Sequence, residues 1–381
     1  MRFLHSIHTV NPARGGVIES VTQTSAVLIR RGHTVEIVSL DAPDDSWVRD
    51  CPVPVHALGP GRGSYGYAPR FSEWIKSRRS NFDTVIVHGL WQYHSFGVWR
   101  AVAGRPTPYF VFPHGMLDPW FKRTYPLKHF KKLLYWPWAE YRVLRDAKAV
   151  FFTSEEERRS ARESFSLYRC REVVVSFGTA PPPLDLARAR EAFFDAFPNL
   201  RGERFFLFLG RLHVKKGCDL LIEAFGQIRN FSERIHLVMA GPCAQPEYLR
   251  HLHQMAAASK GMVSFAGMLT GDVKWGALSA AEAFVLPSHQ ENFGIAVAEA
   301  LACETPVLIS NKVNIWREIE ADGAGYVEND DVGGTTNLLQ RWLATPPGER
   351  SAMRENAGKC FAGRFEIEQA TDSLLAAIAN P

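Results

Sequence analysis

The sequence predicts an α/β protein made of two doubly wound, parallel-sheet domains that face each other across a cleft. Three observations predict it. Short apolar runs alternate with amphipathic stretches along the whole chain, a proline run interrupts that rhythm near its middle, and 381 residues exceed what one core usually holds.

The apolar run Arg2–Ile7 opens the chain as a strand, and residues 16–31 form an amphipathic helix that Gly32-His33 ends. Further strands are expected at 34–40, 84–88, 109–112, 149–153 and 172–176. The run Thr179-Ala180-Pro181-Pro182-Pro183 fits neither a helix nor a central strand and reads as a linker. Beyond it the rhythm restarts, with strands at 204–209, 235–240, 262–265, 283–286, 306–310 and 324–327. Helices are expected at 218–229, 246–258, 295–303 and 335–343. A last amphipathic stretch, 367–378, suits a helix returning to the first domain. Sheets of this kind bind ligands beyond the carboxyl ends of their strands.

With 46% apolar residues the chain is a globular protein. Six dispersed cysteines without a CxxC pair argue for a reducing compartment and against structural zinc. The opening residues lead into a strand pattern instead of a leader peptide, and no run is long enough to span a bilayer, so a cytoplasmic location is expected. The net charge of +4 is uneven: residues 61–150 carry fifteen Lys/Arg against five Asp/Glu. The excess peaks at 121–138, where cationic and aromatic side chains interleave. Such a face suits the headgroup layer of an anionic membrane, or simply solvent. No nucleic-acid-reading motif accompanies it, so nucleic acid is not an expected partner.

Two carboxylates, Glu291 and Glu299, stand eight positions apart around the start of the helix that follows strand 283–286. A helix start favours anions, through unpaired N–H groups and the helix dipole. Acids there make sense if the ligand also carries hydroxyls, as a nucleotide sugar does. Downstream of the first strand of the second domain, Gly210-Arg211 leads to Lys216-Gly217, and two cations at a strand's end suit a diphosphate. Between the first strand and first helix lies Gly15-Gly16, either a site of close ligand approach or an ordinary turn. It is not GxGxxG, which counts against a dinucleotide enzyme. His114 and Asp118 follow one strand of the first domain, and His88, Trp91 and His94 follow or end another. No metal-ligand spacing accompanies them, and neither a metal nor a cofactor is expected.

Together these segments resemble the group 1 (GT4-like) retaining glycosyltransferases with the GT-B fold, two Rossmann-like domains. The likeness runs through Gly15-Gly16 to His33-Thr34-Val35, Gly210-Arg211 to Lys216-Gly217, and the E-x7-E pattern of Glu291 to Glu299. It implies an acceptor-side domain over 1–178, joined by a helix at about 363–381. A linker over 179–185 and a donor-binding domain over 186–362 follow. It also implies roles. Glu291 would bind the transferred sugar and Glu299 the ribose, and the backbone of Asn292, Phe293, Gly294 and Ile295 would hold sugar or phosphate. Gly210, Arg211 and Lys216 would hold the diphosphate, Gly15 and Gly16 would contact the phosphates, and His114 would approach the reacting sugar. His88, Trp91, His94 and Asp118 are weaker candidates on the acceptor side. Asn292 and Glu304 depart from the family, which usually has glycine at both positions.

The segment from His114 to Trp120, with the lysine-rich stretch after it, resembles a bacterial subgroup making exopolysaccharide or surface glycans. The resemblance implies a metal-independent, retaining hexosyltransferase acting from a nucleotide-diphosphate sugar on a glycan or polyprenyl-linked acceptor, cytoplasmic or peripheral at the inner membrane face. A nucleotide-sugar epimerase or phosphorylase of the same fold, and a non-catalytic nucleotide-sugar-binding assembly partner, are the alternatives.

Overall fold

The computed structural model describes residues 1–228, 235–258 and 261–381, with the side chain of Arg14 set aside. The chain divides into two compact units, Met1–Gly178 with Ile367–Pro381, and Thr179–Glu366.

The first unit holds a seven-stranded sheet: β1 (Arg2–Ile7), β2 (Thr34–Ser39), β3 (Val55–Ala57), β4 (Thr84–His88), β5 (Tyr109–Phe112), β6 (Ala149–Phe152) and β7 (Glu172–Val174). Their order is β3-β2-β1-β4-β5-β6-β7, and every pairing is parallel. The central strands are buried on both faces, which is why they read as unbroken apolar runs in place of alternating ones. Alternate residues feed separate cores: Tyr109 and Val111 pack on one face, Phe110 and Phe112 on the other. The sequence reading missed β3, a short half-buried edge strand preceded by Pro52 and Pro54. It also missed helices such as Tyr93–Val102 and Glu155–Arg162.

The helix Ile367–Ala379 completes this unit. Leu374 and Ile378 join the core that contains Phe3, Ile18 and Phe110. Arg31, at the end of the helix Gly16–Arg30, pairs with Glu368 at 2.7 Å and also with Asp372. The helix was expected from about 363, but Phe361–Phe365 form a π-helical turn belonging to the second unit, and Thr179 donates to the Phe365 carbonyl at 2.9 Å.

The second unit holds β8 (Phe205–Leu209), β9 (His236–Ala240), β10 (Val263–Gly267), β11 (Ala283–Leu286), β12 (Val307–Ser310) and β13 (Gly325–Glu328). They form a parallel sheet ordered β10-β9-β8-β11-β12-β13. The helix Cys218–Gln227 was expected to reach Arg229, which lies outside the described residues. In each sheet the order reverses once, between β1 and β4 and between β8 and β11. Loops leaving such neighbours diverge and open a crevice at the carboxyl ends.

Candidate functional site

The reversal in the second sheet gathers most of the residues singled out from the sequence. β8 and β11 are neighbours in register, Ala283 beside Phe206 and Phe284 beside Leu207, so the loops they feed leave side by side. After β8 come Gly210 and the exposed Arg211, then a 3₁₀ turn over Val214–Lys216. His213 caps that turn, its Nδ1 accepting from the Lys215 N–H at 3.0 Å. Gly217 ends it with φ at +66°, and a Cβ there would lie 2.2 Å from the Pro287 carbonyl oxygen, so only glycine lets the two loops touch. The His289 N–H donates to the Lys215 carbonyl at 2.9 Å and ties them together.

This stitching brings the Lys216 ammonium into direct ion-pair contact with the Glu291 carboxylate. The two side chains are only 15% and 16% exposed. Burial, aided by Lys215 and Arg211, pulls the Lys216 ammonium down to about 7. The touching carboxylate favours the charged ammonium and so opposes that shift. Glu291 is itself fixed: its N–H donates to Lys312 at 2.9 Å, its carbonyl accepts from Asn314 at 3.0 Å, and its Oε1 accepts from the Asn292 N–H at 3.1 Å. Asn292 in turn accepts from the Asn314 amide at 3.3 Å.

Gly294, at φ +77°, opens the helix Ile295–Ala302, and no side chain caps that end. The Val297 and Ala298 N–H groups donate to the Gly294 carbonyl at 2.8 and 3.2 Å, which leaves the amides of Ile295 and Ala296 at the helix start as the ones suited to an anion. Phe293 packs edge-on against Phe365 at 5.5 Å and is 4% exposed, so its side chain belongs to the core and only its backbone can serve a ligand. Glu299 is buried about one turn further along this helix and binds the Lys274 ammonium at 2.7 Å. Lys274 carries no sequence signal that would single it out.

In the first unit, Gly15 adopts φ +98° between a 3₁₀ turn and the helix that Gly16 begins. His88 ends β4, and His114 stands two residues past β5. The His88 Nδ1 lies 3.1 Å from His114 Nε2, and its Nε2 lies 2.8 Å from the Nδ1 of His5, a residue the sequence reading passed over. A histidine inside the apolar run of β1 was the available signal. His94 is fully buried and its Nε2 donates to the His88 carbonyl at 3.0 Å, which places it behind the group and not at a surface. Asp118 accepts from the Trp120 N–H at 2.8 Å, in the manner of a turn-forming aspartate.

Two buried carboxylates hold this region, and neither was anticipated. Glu157 accepts from the Gly115 N–H at 2.6 Å and from the Thr153 N–H at 2.7 Å, clamping the turn in which His114 sits at φ +51°. Ser154 caps the helix that begins at Glu155, so the Ser-x-x-Glu pattern of a capping box was legible at 154–157. Glu140 accepts from the Trp91 N–H at 2.8 Å and from Ser95 at 3.0 Å, and it holds Trp91 at φ +72°. Burial raises the Glu140 carboxyl to about 7 against the pull of these donors and of Lys132. The Lys132 ammonium sits 4.3 Å from the centre of the Trp91 ring.

The basic, aromatic segment also takes shape. Leu127, Phe130, Leu134 and Trp138 recur at helical spacing on and beyond the helix Pro126–Tyr135, and are 82%, 59%, 63% and 69% exposed. Lys122, Arg123, Lys128 and Lys131 are exposed among them. Among the described residues no helix is long and apolar enough to cross a membrane, and no group of three or more His, Cys, Asp or Glu gathers at metal-binding distance.

Comparison with known proteins adds to this geometry. The glycosyl transferase 4-like domain family matches residues 15–178, and the glycosyl transferases group 1 family matches residues 189–359. An uncharacterized glycosyltransferase of Methanocaldococcus jannaschii is 33% identical over 163 residues, covering 41% of this chain and 40% of that protein. The chain spans about half the length of the first curated relatives it matches. Sucrose-phosphate synthase of Thermosynechococcus elongatus superposes with a TM-score of 0.79 at 20% identity, covering 99% of this chain and 98% of that one. Anabaena HepE in complex with UDP and glucose gives 0.77 at 16% identity, with both chains covered in full. These likenesses show the fold. The chain has the GT-B fold and consists of a glycosyl transferase 4-like domain followed by a group 1 glycosyl transferase domain.

Proposed function

We propose that the chain is a metal-independent, retaining glycosyltransferase that moves a sugar from a nucleotide-diphosphate sugar to a glycan or lipid-linked glycan in bacterial surface polysaccharide synthesis. The observation that carries this reading is the largely enclosed Lys216–Glu291 pair at the reversal point of the second sheet, beside an uncapped helix start. A cation, an anion acceptor and a hydroxyl acceptor are what a sugar diphosphate needs from a protein.

In this reading Lys216 and Arg211 take up the charge that grows on the departing diphosphate, together with the amides at the start of Ile295–Ala302. Glu291 exchanges part of its contact with Lys216 for hydroxyls of the transferred sugar. Glu299, oriented by Lys274, accepts from the ribose. His114 serves the sugar undergoing transfer. As the glycosidic bond to the diphosphate breaks, the sugar passes through an oxocarbenium-like state, and the diphosphate oxygen takes the acceptor's proton on the face it leaves. No protein nucleophile is required. Structures of HepE hold UDP and UDP-glucose, which makes uridine-based donors the first to try.

The test is product analysis with UDP-, GDP- and ADP-sugars, with and without a lipid-linked glycan. A new glycosidic bond with the donor's anomeric configuration supports the proposal. An altered free sugar formed without acceptor would make the protein an epimerase, and a requirement for phosphate would make it a phosphorylase. Donor binding without turnover would leave a non-catalytic partner.

A further inference from the structure

We propose that His88, backed by His5, is a positioning residue that holds the His114 ring as the tautomer protonated on Nδ1, so that His114 offers its ligand a hydrogen-bond donor and not a base. The three rings lie on one face of the first sheet. His5 pairs with Ile86 across β1 and β4, and His88 pairs with Phe112 across β4 and β5, so the two-residue period of a strand sets His5, His88 and His114 in a row. The His5 and His88 planes are 27° apart, those of His88 and His114 18° apart.

Counting protons leaves little freedom. Each N···N approach, 2.8 Å and 3.1 Å, is a hydrogen bond only if one of its two nitrogens carries hydrogen. The three imidazoles are neutral, because burial pulls His5 down to about 4 and His114 to about 3, and lowers His88 as well. A neutral His88 has one hydrogen to share between two partners, so all the donors must point the same way along the row.

Two arrangements satisfy this. If the donors point towards His114, His5 Nδ1 donates to His88, His88 Nδ1 donates to His114 Nε2, and the His114 hydrogen is left on Nδ1. The Nε2 of His5 is then a bare lone pair. If they point the other way, His5 carries its hydrogen on Nε2, where it meets no acceptor. That atom belongs to a residue 1% exposed, beside a cavity of about 20 Å³ whose walls carry Ser20, Thr24 and Ser176 as well as Val21, Phe112 and Leu374, none of which bonds it. A buried N–H without an acceptor is rarer and costlier than an unused lone pair. On the bonds the structure shows, the first arrangement is the less costly of the two. Glu157 supports it from the other side by clamping the Gly115 N–H, which fixes the backbone that carries His114.

The use of that donor in sugar transfer rests on the function proposed above, whereas the tautomer does not. The experiment is therefore nitrogen-15 NMR of the full chain with labelled histidines, His114 being assigned by its loss in His114→Phe. The expected spectrum shows His114 protonated on Nδ1 and bare on Nε2. In His88→Phe, which keeps an aromatic ring in the row, the His114 signals should move towards a mixture of tautomers. In His88→Asn, whose side-chain amide N–H stands near the place of Nδ1–H, they should return. Turnover should follow, with kcat about tenfold lower in His88→Phe, KM within about twofold, and recovery in His88→Asn. A wild-type His114 protonated on Nε2, or one unmoved by His88→Phe, overturns the proposal. Absence of sugar transfer in the wild type together with the Nδ1 tautomer would overturn the function and leave this inference standing.

Discussion

At the scale of single residues, the site is defined by polar groups that burial makes costly and that are then paired. Glu140 shows the cost most plainly. Its carboxyl is raised from 4.5 to about 7, so between those values the folded protein binds a proton that the unfolded chain has released. Stability from this group is therefore fully present below pH 4.5 and is lost as pH rises through 7, by about 3 kcal/mol in all. Glu140→Gln should remove that slope. Urea unfolding of both proteins at pH 5 and pH 8 measures it, and the difference between variant and wild type should shift in favour of the variant at the higher pH. An unchanged difference would mean that Glu140 titrates as an ordinary surface carboxylate. The sequence offered Glu291, Glu299, Arg211 and Lys216 because their spacing sits at strand ends. It could not offer Glu140 or Lys274, whose partners, Trp91 and Glu299, lie 49 and 25 positions away and are reached only through the fold.

At the scale of elements, legibility followed burial. Strands enclosed on both faces, such as β4, β5 and β11, announced themselves as apolar runs with the ends the structure shows. The half-buried edge strand β3 carried no such run. The element that separates a membrane face from a soluble one is the helix Pro126–Tyr135. Its exposed stripe of Leu127, Phe130 and Leu134, continued by Trp138 and flanked by Lys122, Arg123, Lys128 and Lys131, combines the apolar wedge and the cations that anionic headgroups attract. We expect the protein to float with anionic liposomes at low salt, and to do so less as salt rises. Replacing Leu127, Phe130, Leu134 and Trp138 by serine should reduce flotation at least about tenfold, since each buried apolar side chain is worth about 1.5–3 kcal/mol. Recovery of the wild-type protein in the unfloated fraction would reduce the stripe to an ordinary protein surface.

At the scale of the whole molecule, two sheets reverse their strand order once each, and each reversal collects the residues that chemistry would choose. In the first it is the histidine row, between β1, β4 and β5. In the second it is Lys216 with Glu291, between β8 and β11. This recurrence was foreshadowed by the doubled rhythm on either side of the proline run. The return of the helix Ile367–Ala379 to the first unit was legible from its amphipathic face, while its ion pairs with Arg31 were not. In the proposed function Lys216 holds the diphosphate while its partner Glu291 takes the sugar. Lys216→Ala leaves Glu291 with fewer partners but removes no core packing, so the variant should remain folded by circular dichroism. The decisive measurement is release of nucleoside diphosphate from the donor the wild type prefers. A fall of about 100-fold or more in the folded Lys216→Ala variant is the predicted result. Equal release by variant and wild type would contradict it.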